Sequence, residues 1–224
     1  MVKICVGGSK GKMGGRILDL AKLDSALEVS GEFDIGQDAE PVIAQSDCLI
    51  EFTSAEATIE HLAICEKLKK PIVIGTTGLS EDAQAKIRMA SESIPVIFSP
   101  NMSIGVNLLF KMVSEAAKVL GPEYDINIVE AHHIHKKDAP SGTAKEMARI
   151  AKEARSDAKV HIESVREGEI VGEHTITFDS DFDTIEITHS AKTRDIFAKG
   201  ALEAAKFAFG KPAGLYTMKD VLAL

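Results

Sequence analysis

At 224 residues, 45% hydrophobic and 27% charged, the chain has the balance of an ordinary globular protein, with length for one large domain or two small ones. A net charge of −8 opposes any broad attraction to nucleic-acid backbones or anionic membranes, and a chain without tryptophan and with few aromatics offers no stacking platform for single strands. Three cysteines without C-x-x-C spacing give no disulfide or zinc framework, and no apolar run approaches the roughly 20 residues that span a bilayer.

The expected setting is the reducing cytoplasm. Cys5 and Cys48 lie in apolar runs, where cysteine acts as a small buried hydrophobe. The opening "MVKICVGG" is too short for a signal peptide and lacks a cleavage motif. In so acidic a chain, a site for an acidic metabolite has to create positive potential locally.

Taken in order, Val2–Val6 reads as a compact strand, followed by a helix over Met13–Leu23 with Ile17, Leu18 and Leu20 at helical spacing. Leu27–Phe33 and Cys48–Phe52 are strand candidates, Ala55–Leu68 is an amphipathic helix, and "PIVIG" (71–75) a buried strand. Ser80 caps a helix to Ser91, and "IPVIFS" (94–99) is another buried strand. Strands separated by such helices predict βαβ units, a parallel sheet with helices on both faces. After Pro100 the rhythm changes. A long apolar helix, Ile104–Leu120, stops at Gly121-Pro122, Tyr124–Ala131 is a strand, and Thr143–Ala154 a helix. Val160–Val165, His174–Phe178 and Thr184–Thr188 alternate as half-buried strands without crossover helices between the last ones. They predict a second, α+β domain with an open mixed sheet over about 103–193. Asp195–Phe209 is helical again, followed by a short tail. The expected fold is α/β: an N-terminal Rossmann-like parallel sheet domain plus a C-terminal α+β domain.

"VGGSKGKMGG" follows the first strand and opens the first helix, with Gly8, Gly11 and Gly14 in a G-x-x-G-x-x-G variant of the dinucleotide fingerprint. Glycines there permit a tight turn and close approach to a pyrophosphate, and the helix N-terminus offers N–H groups and a positive dipole end. The competing reading is a glycine-rich turn without a ligand. Asp34 ends the second strand, twenty residues after Gly14, where a carboxylate bonds an adenosine ribose diol. Ile35 follows it, not an arginine for a 2′-phosphate, which tilts the reading to NADH, with NADPH left open because Lys10 and Lys12 lie nearby. "GTTGLS" (75–80) and "SPNMSIG" (99–105) sit at carboxyl ends of strands, where ligands bind such sheets, and Thr76, Thr77 and Asn101 carry groups for a nicotinamide ring or for the turns themselves.

The densest chemistry is "EAHHIHKKDAPSGTA", Glu130 to Ala144. No metal is expected: no HExxH or Cys/His spacing accompanies the three histidines, and neighbours His132 and His133 point to opposite sides of a continuing strand. A solvated basic loop is one reading. The other is an acid/base and anion site, with imidazoles and lysines to carry protons and the Gly142 and Thr143 N–H groups at a helix start to hold a carboxylate. Thr143 with Glu146 also fits a capping box.

That stretch resembles the signature of the dihydrodipicolinate reductase family, roughly E-x-H-H-x-x-K-x-D-A-P-S-G-T-A. "GGSKGKMG", "GTTG", "SPNMSIGVN" and "RDIFAKGALEAAKF" extend the resemblance over the whole chain, the last as the helix returning to the first domain. The resemblance implies a dinucleotide-binding domain over 1–102 and 194–224 and a substrate-binding, oligomerising domain over 103–193. It implies NAD(P)H-dependent reduction of 4-hydroxy-tetrahydrodipicolinate to tetrahydrodipicolinate in lysine and diaminopimelate biosynthesis, with hydride delivered to the ring's C4 and loss of water, in a homotetramer. It makes His132 and Lys136 catalytic, and His133, Gly142 and Thr143 contacts of a small dicarboxylate. Gly8, Ser9, Lys10, Gly11, Lys12, Met13, Asp34, Gly75, Thr76, Thr77, Ser99, Pro100, Asn101 and Met102 match coenzyme contacts. Met102 stands where an aromatic is common, and the connection around 36–47 is short. His135 receives no role. Two rivals remain: another two-domain NAD(P)-dependent reductase of an anionic metabolite, and a non-catalytic NAD(H) sensor.

Overall fold

The computed structural model describes all 224 residues, which fall into two compact units, Met1–Ile104 with Asp195–Leu224, and Gly105–Arg194. The chain opens with β1 (Val2–Gly7), α1 (Lys12–Ala21), β2 (Leu27–Phe33), α2 (Glu40–Ala44), β3 (Cys48–Glu51), α3 (Ala55–Leu68), β4 (Ile72–Ile74), α4 (Glu81–Ser91) and β5 (Pro95–Phe98). It continues through α5 (Ile104–Val119), β6 (Asp125–His132), α6 (Gly142–Ala154), β7 (Val160–Arg166), β8 (Glu173–Asp179) and β9 (Thr184–Ser190). It returns to the first unit with α7 (Asp195–Ala208), β10 (Gly214–Tyr216) and α8 (Met218–Leu222).

The first unit is a six-stranded sheet in the order β10-β5-β4-β3-β1-β2, every ladder parallel. Its strands are short unbroken apolar runs because both faces are covered, and the two-residue period deals their side chains to opposite layers. Ile4, Val6, Ile50, Val73 and Ile97 enter a core with Ile17 and Leu18 of α1 and the alanine face of α7. Cys5, Leu49, Ile72, Ile74 and Val96 enter the other, with Leu62 and Ile87 of α3 and α4. Each such fully buried aliphatic side chain stabilises the unit by roughly 1.5–3 kcal/mol. Ser54 and Ser80 cap α3 and α4 by accepting the N–H of Ala57 and Ala83. The chain passes from β2 across β1 to β3, so the strand order reverses at β1/β3, the place where ligands bind open α/β sheets.

Two expectations are corrected here. The expected tail forms an edge strand on β5 and a capped helix, with Thr217 and Asp220 in a reciprocal capping box. Three residues of strand are too few for periodicity to register, and the five-residue α2 escaped for the same reason.

The second unit is a four-stranded mixed sheet, β7-β6-β8-β9, parallel only between β6 and β7, which α6 connects. One face packs on α5 and α6, and its inward residues form layers across the strands. Val160, Ile126 and Phe178 align in one layer and Ile162, Ile128 and Ile176 in the next. The following layer is polar: Ser164, Glu130 and His174, with His132 beside Arg166 beyond it. The apolar core therefore gives way to a buried polar cluster at the carboxyl end of β6.

Candidate active site

Strand period places Glu130 and His132 on one face, two residues apart, both buried. The Glu130 carboxylate, 0% exposed, is saturated with donors. Oε2 lies 2.5 Å from His132 Nδ1 and accepts from Arg166 at 3.0 Å. Oε1 accepts from Arg166 at 2.8 Å and from the Ser141 N–H at 3.2 Å. Burial raises the Glu130 carboxyl, but the hydrogen bonds from Arg166, Ser164 and His132 outweigh it and hold the group at about 2. An ionised carboxylate only accepts, so His132 Nδ1 carries the proton and Nε2 is left for chemistry. Nε2 faces Gly172, where even a Cβ would stand 3.1 Å away. Burial pushes His132 below its ordinary 6.5, more than Glu130 pulls it up.

Arg166 extends the cluster. It also donates to the Asp138 carbonyl at 2.6 Å, and Asp138 accepts from Lys136 Nζ at 2.8 Å. One chain of contacts thus runs from His132 through Glu130, Arg166 and Asp138 to Lys136. On the other side the His174 ring meets His132 edge-on, 5.1 Å between centroids, and His174 Nε2 lies 3.0 Å from Ser141 Oγ. Burial, then the neighbouring His132, push His174 down to about 4, so it is neutral near pH 7.

The three motif histidines do not converge. β6 ends at His132, and His133 turns away, its N–H donating to the Ile170 carbonyl. His133 Nδ1 is buried without a partner and Nε2 lies 3.5 Å from Arg194. His135 is exposed, 3.7 Å from Glu169, a solvated surface pair. The helix cap is also corrected. Ser141, not Thr143, is the N-cap of α6, accepting the Ala144 N–H, while Glu146 pairs with Arg149. Gly142 and Thr143 accordingly open the helix, and Gly142 is exposed with nothing within 4 Å of where a Cβ would stand. The sequence expectations passed over Glu130, Asp138, Ser141, Arg166, His174 and Arg194. The alternation of β6 and β7 was the available signal, since it puts Glu130 with His132 and Ser164 with Arg166 on inward faces.

In the first unit, the expected coenzyme contacts line the carboxyl ends of β5, β4, β1 and β2. Gly8, at φ +73°, takes the left-handed turn out of β1, and the Gly8 and Ser9 N–H groups donate to the Phe33 carbonyl. A Cβ on Gly14 would meet the Gly8 carbonyl oxygen at 2.1 Å, so only glycine lets α1 start against the loop. Lys10, Gly11 and Lys12 are exposed and Met13 is half-buried. The first turn of α1 has neither a side-chain cap nor an acidic residue, which suits the phosphates of a dinucleotide. Asp34 accepts the Lys10 N–H at 2.7 Å and the Ile35 N–H at 2.8 Å; each oxygen keeps a lone pair for a ribose hydroxyl. Those two bonds draw its carboxyl below the usual range. Gly75 and Thr77 flank the buried Thr76, whose hydroxyl lies 2.8 Å from that of Thr58. Ser99 is buried, Pro100 exposed, and Asn101 Oδ1 accepts the Ser103 N–H. The Met102 side chain, 3% exposed, packs into the core, so this side chain is not presented to a ligand.

Family models described as "Dihydrodipicolinate reductase, N-terminus" and "Dihydrodipicolinate reductase, C-terminus" match residues 2–102 and 105–222. The 4-hydroxy-tetrahydrodipicolinate reductase of Anaeromyxobacter dehalogenans is 40% identical over 266 aligned positions, covering 100% of this chain and 98% of the relative. That of Syntrophotalea carbinolica is 38% identical, covering 100% of both. Alignments of 266 positions against 224 residues mean that these relatives carry segments this chain lacks. Among solved structures, a dipicolinate-bound dihydrodipicolinate reductase from a Paenisporosarcina species superposes with TM-score 0.86 at 24% identity, covering 97% of each chain. A probable dehydrogenase from Thermotoga maritima gives TM-score 0.69 at 13% identity, over 99% of this chain and 93% of its own. With both family models in chain order and such relatives aligned from end to end, the chain belongs to the dihydrodipicolinate reductase family.

Proposed function

We propose that this chain reduces 4-hydroxy-tetrahydrodipicolinate to tetrahydrodipicolinate with a reduced nicotinamide dinucleotide, as part of lysine and diaminopimelate synthesis. The observation that carries the reading is the Arg166–Glu130–His132 chain beside the start of α6, in the stretch that resembles the family signature. The coenzyme, when bound, supplies a hydride. The first unit holds it: the turn from Gly8 to Met13 and the N-terminus of α1 take the pyrophosphate, and Asp34 takes the adenosine ribose. Gly75–Thr77 and Ser99–Asn101 line the nicotinamide side, and Met102 contributes main chain only. NADH is preferred, because no lysine or arginine occurs between Asp34 and Lys67, leaving only Lys10 and Lys12 for a 2′-phosphate beside Asp34.

The second unit holds the dicarboxylate. His133 and the Gly142 and Thr143 N–H groups bind a carboxylate at the positive end of α6. Glu130 fixes the tautomer and ring orientation of His132, and His132 Nε2 with the Lys136 ammonium carry the proton that balances the hydride, the 4-hydroxyl of the substrate leaving as water. Asp138 and Arg166 hold the two proton carriers in one network. Dipicolinate, which the Paenisporosarcina protein binds, then competes with substrate. Calorimetric titration of the chain with dipicolinate tests this, and no binding at millimolar concentration contradicts it.

The chain assembles as a homotetramer through the sheet face of the second unit that carries no helix. Its residues include exposed Asn127 and Val129, and β9 is exposed along most of its length. Such an edge and face invite pairing with other copies. Light scattering gives the mass of four chains; a monomer mass contradicts this arrangement. The protein works in the cytoplasm, in keeping with three free buried cysteines and no helix long and apolar enough to cross a membrane.

A further inference from the structure

A second buried carboxylate lies in the first unit, outside every role described so far. Glu51, at the end of β3, is 0% exposed, and one oxygen lies 2.8 Å from His61 Nδ1 on α3. The other accepts the Thr53 N–H at 3.1 Å and the Thr53 hydroxyl. The His61 ring is held in turn by an edge contact with Phe33, 4.9 Å between centroids. Phe33 is the residue whose carbonyl accepts the N–H groups of Gly8 and Ser9.

The neighbours of Glu51 are the turns of the nucleotide cradle. Gly7 pairs with Glu51 across the β1/β3 ladder, and a Cβ on Gly7 would stand 2.6 Å from the carboxylate. A Cβ on Gly8 would meet the Thr53 methyl at 2.9 Å and the Phe52 carbonyl oxygen at 3.0 Å. Gly75 is pressed by Phe52 from the same stretch, whose ring would lie 2.0 Å from a Cβ there. Three consecutive residues, Glu51 to Thr53, therefore abut both the glycine loop and the 75–77 turn at the point where strand order reverses. The Glu51 carboxylate is held from both sides, by Thr53 on one oxygen and by His61 on the other.

We propose that Glu51 and His61 are a positioning pair for the coenzyme: their hydrogen bond sets the 51–53 turn against which the glycine loop and the Gly75 turn are shaped. The pair touches neither substrate nor reacting atoms, so it governs coenzyme affinity and not chemistry. The inference rests on the proposed use of this unit for a nicotinamide dinucleotide.

The test is a fluorescence titration with NADH of the parent chain, His61→Val and His61→Asn; the absence of tryptophan keeps the coenzyme signal clean. His61→Val removes the donor, while asparagine keeps an N–H near the Nδ1 position. Losing one charge-assisted bond predicts about tenfold weaker NADH binding for His61→Val and retention within about threefold for His61→Asn. The kcat at saturating NADH and the KM of the dicarboxylate stay at parent values. If His61→Val does not fold, Glu51→Gln takes its place, and a loss of about threefold or more in NADH affinity supports the pair. Parent-like NADH affinity in the folded variant, or a fall in kcat with affinity unchanged, overturns the inference alone. A parent chain that binds neither NADH nor NADPH overturns the proposed function as well.

Discussion

Glu130→Gln removes one charge from the buried polar cluster at the carboxyl end of β6 while keeping the side chain's shape. The folded carboxyl sits at about 2 against an ordinary 4.5. That gap, at about 1.36 kcal/mol per pH unit, favours the charged folded form by about 3 kcal/mol. The amide forfeits this at pH 7 and leaves Arg166 without its anionic partner, in line with the roughly 3–5 kcal/mol lost when a buried pair is broken. Because the folded value lies below the unfolded one, the parent's advantage is complete above pH 4.5 and disappears as pH falls through 4.5 toward 2. Urea unfolding at pH 7 and pH 3, with hydrogen exchange of the β6 and β8 amides at pH 7, reads the effect. A destabilisation of about 3 kcal/mol at pH 7, shrinking by more than half at pH 3, is expected. A loss below about 1 kcal/mol at pH 7, the level of an exposed ion pair, or an equal loss at both pH values, refutes the reasoning.

His132→Gln and Lys136→Ala each lower kcat by about 10²–10⁴, with little change in coenzyme affinity; full activity in the double variant contradicts their assignment. Asp34→Ala weakens NADH more than NADPH in titrations, and equal losses place Asp34 off the ribose. His174, held near 4 against its ordinary 6.5, is neutral in the folded protein. The stability that depends on its neutrality is complete above pH 6.5 and declines as pH falls toward 4, by about 3 kcal/mol. His174→Gln flattens the pH dependence of the unfolding midpoint in that window; an unchanged slope counts against the account.

Where a single local signal decided the structure, the sequence was readable. The alternating core positions of β8, the cap at Ser80, and the glycine turn after β1 follow from nearest-neighbour rules, and the structure contains them. The start of α6 shows where such rules stop. Ser141 and Thr143 both suit an N-cap, and the choice falls to Ser141, which also meets His174 and Glu130, 33 and 11 residues away. Arg166 lies 36 residues from Glu130, and only the parallel register of β6 and β7 brings them together. The motif therefore announced its histidines and lysines; Glu130 and Asp138, which hold them, lie inside it, while Arg166 and His174, which complete the cluster, come from other strands. Glu51 is the same case in the first unit: a carboxylate ending an apolar strand reads as an exit to solvent, yet His61 and Thr53 keep it inside.

The central claim is tested most directly by supplying 4-hydroxy-tetrahydrodipicolinate, generated in place by a dihydrodipicolinate synthase, and following NADH and NADPH oxidation separately. Oxidation of one coenzyme per substrate consumed, faster with NADH and suppressed by dipicolinate, is the predicted result. A folded chain that binds coenzyme yet oxidises neither one when this substrate is present contradicts the account.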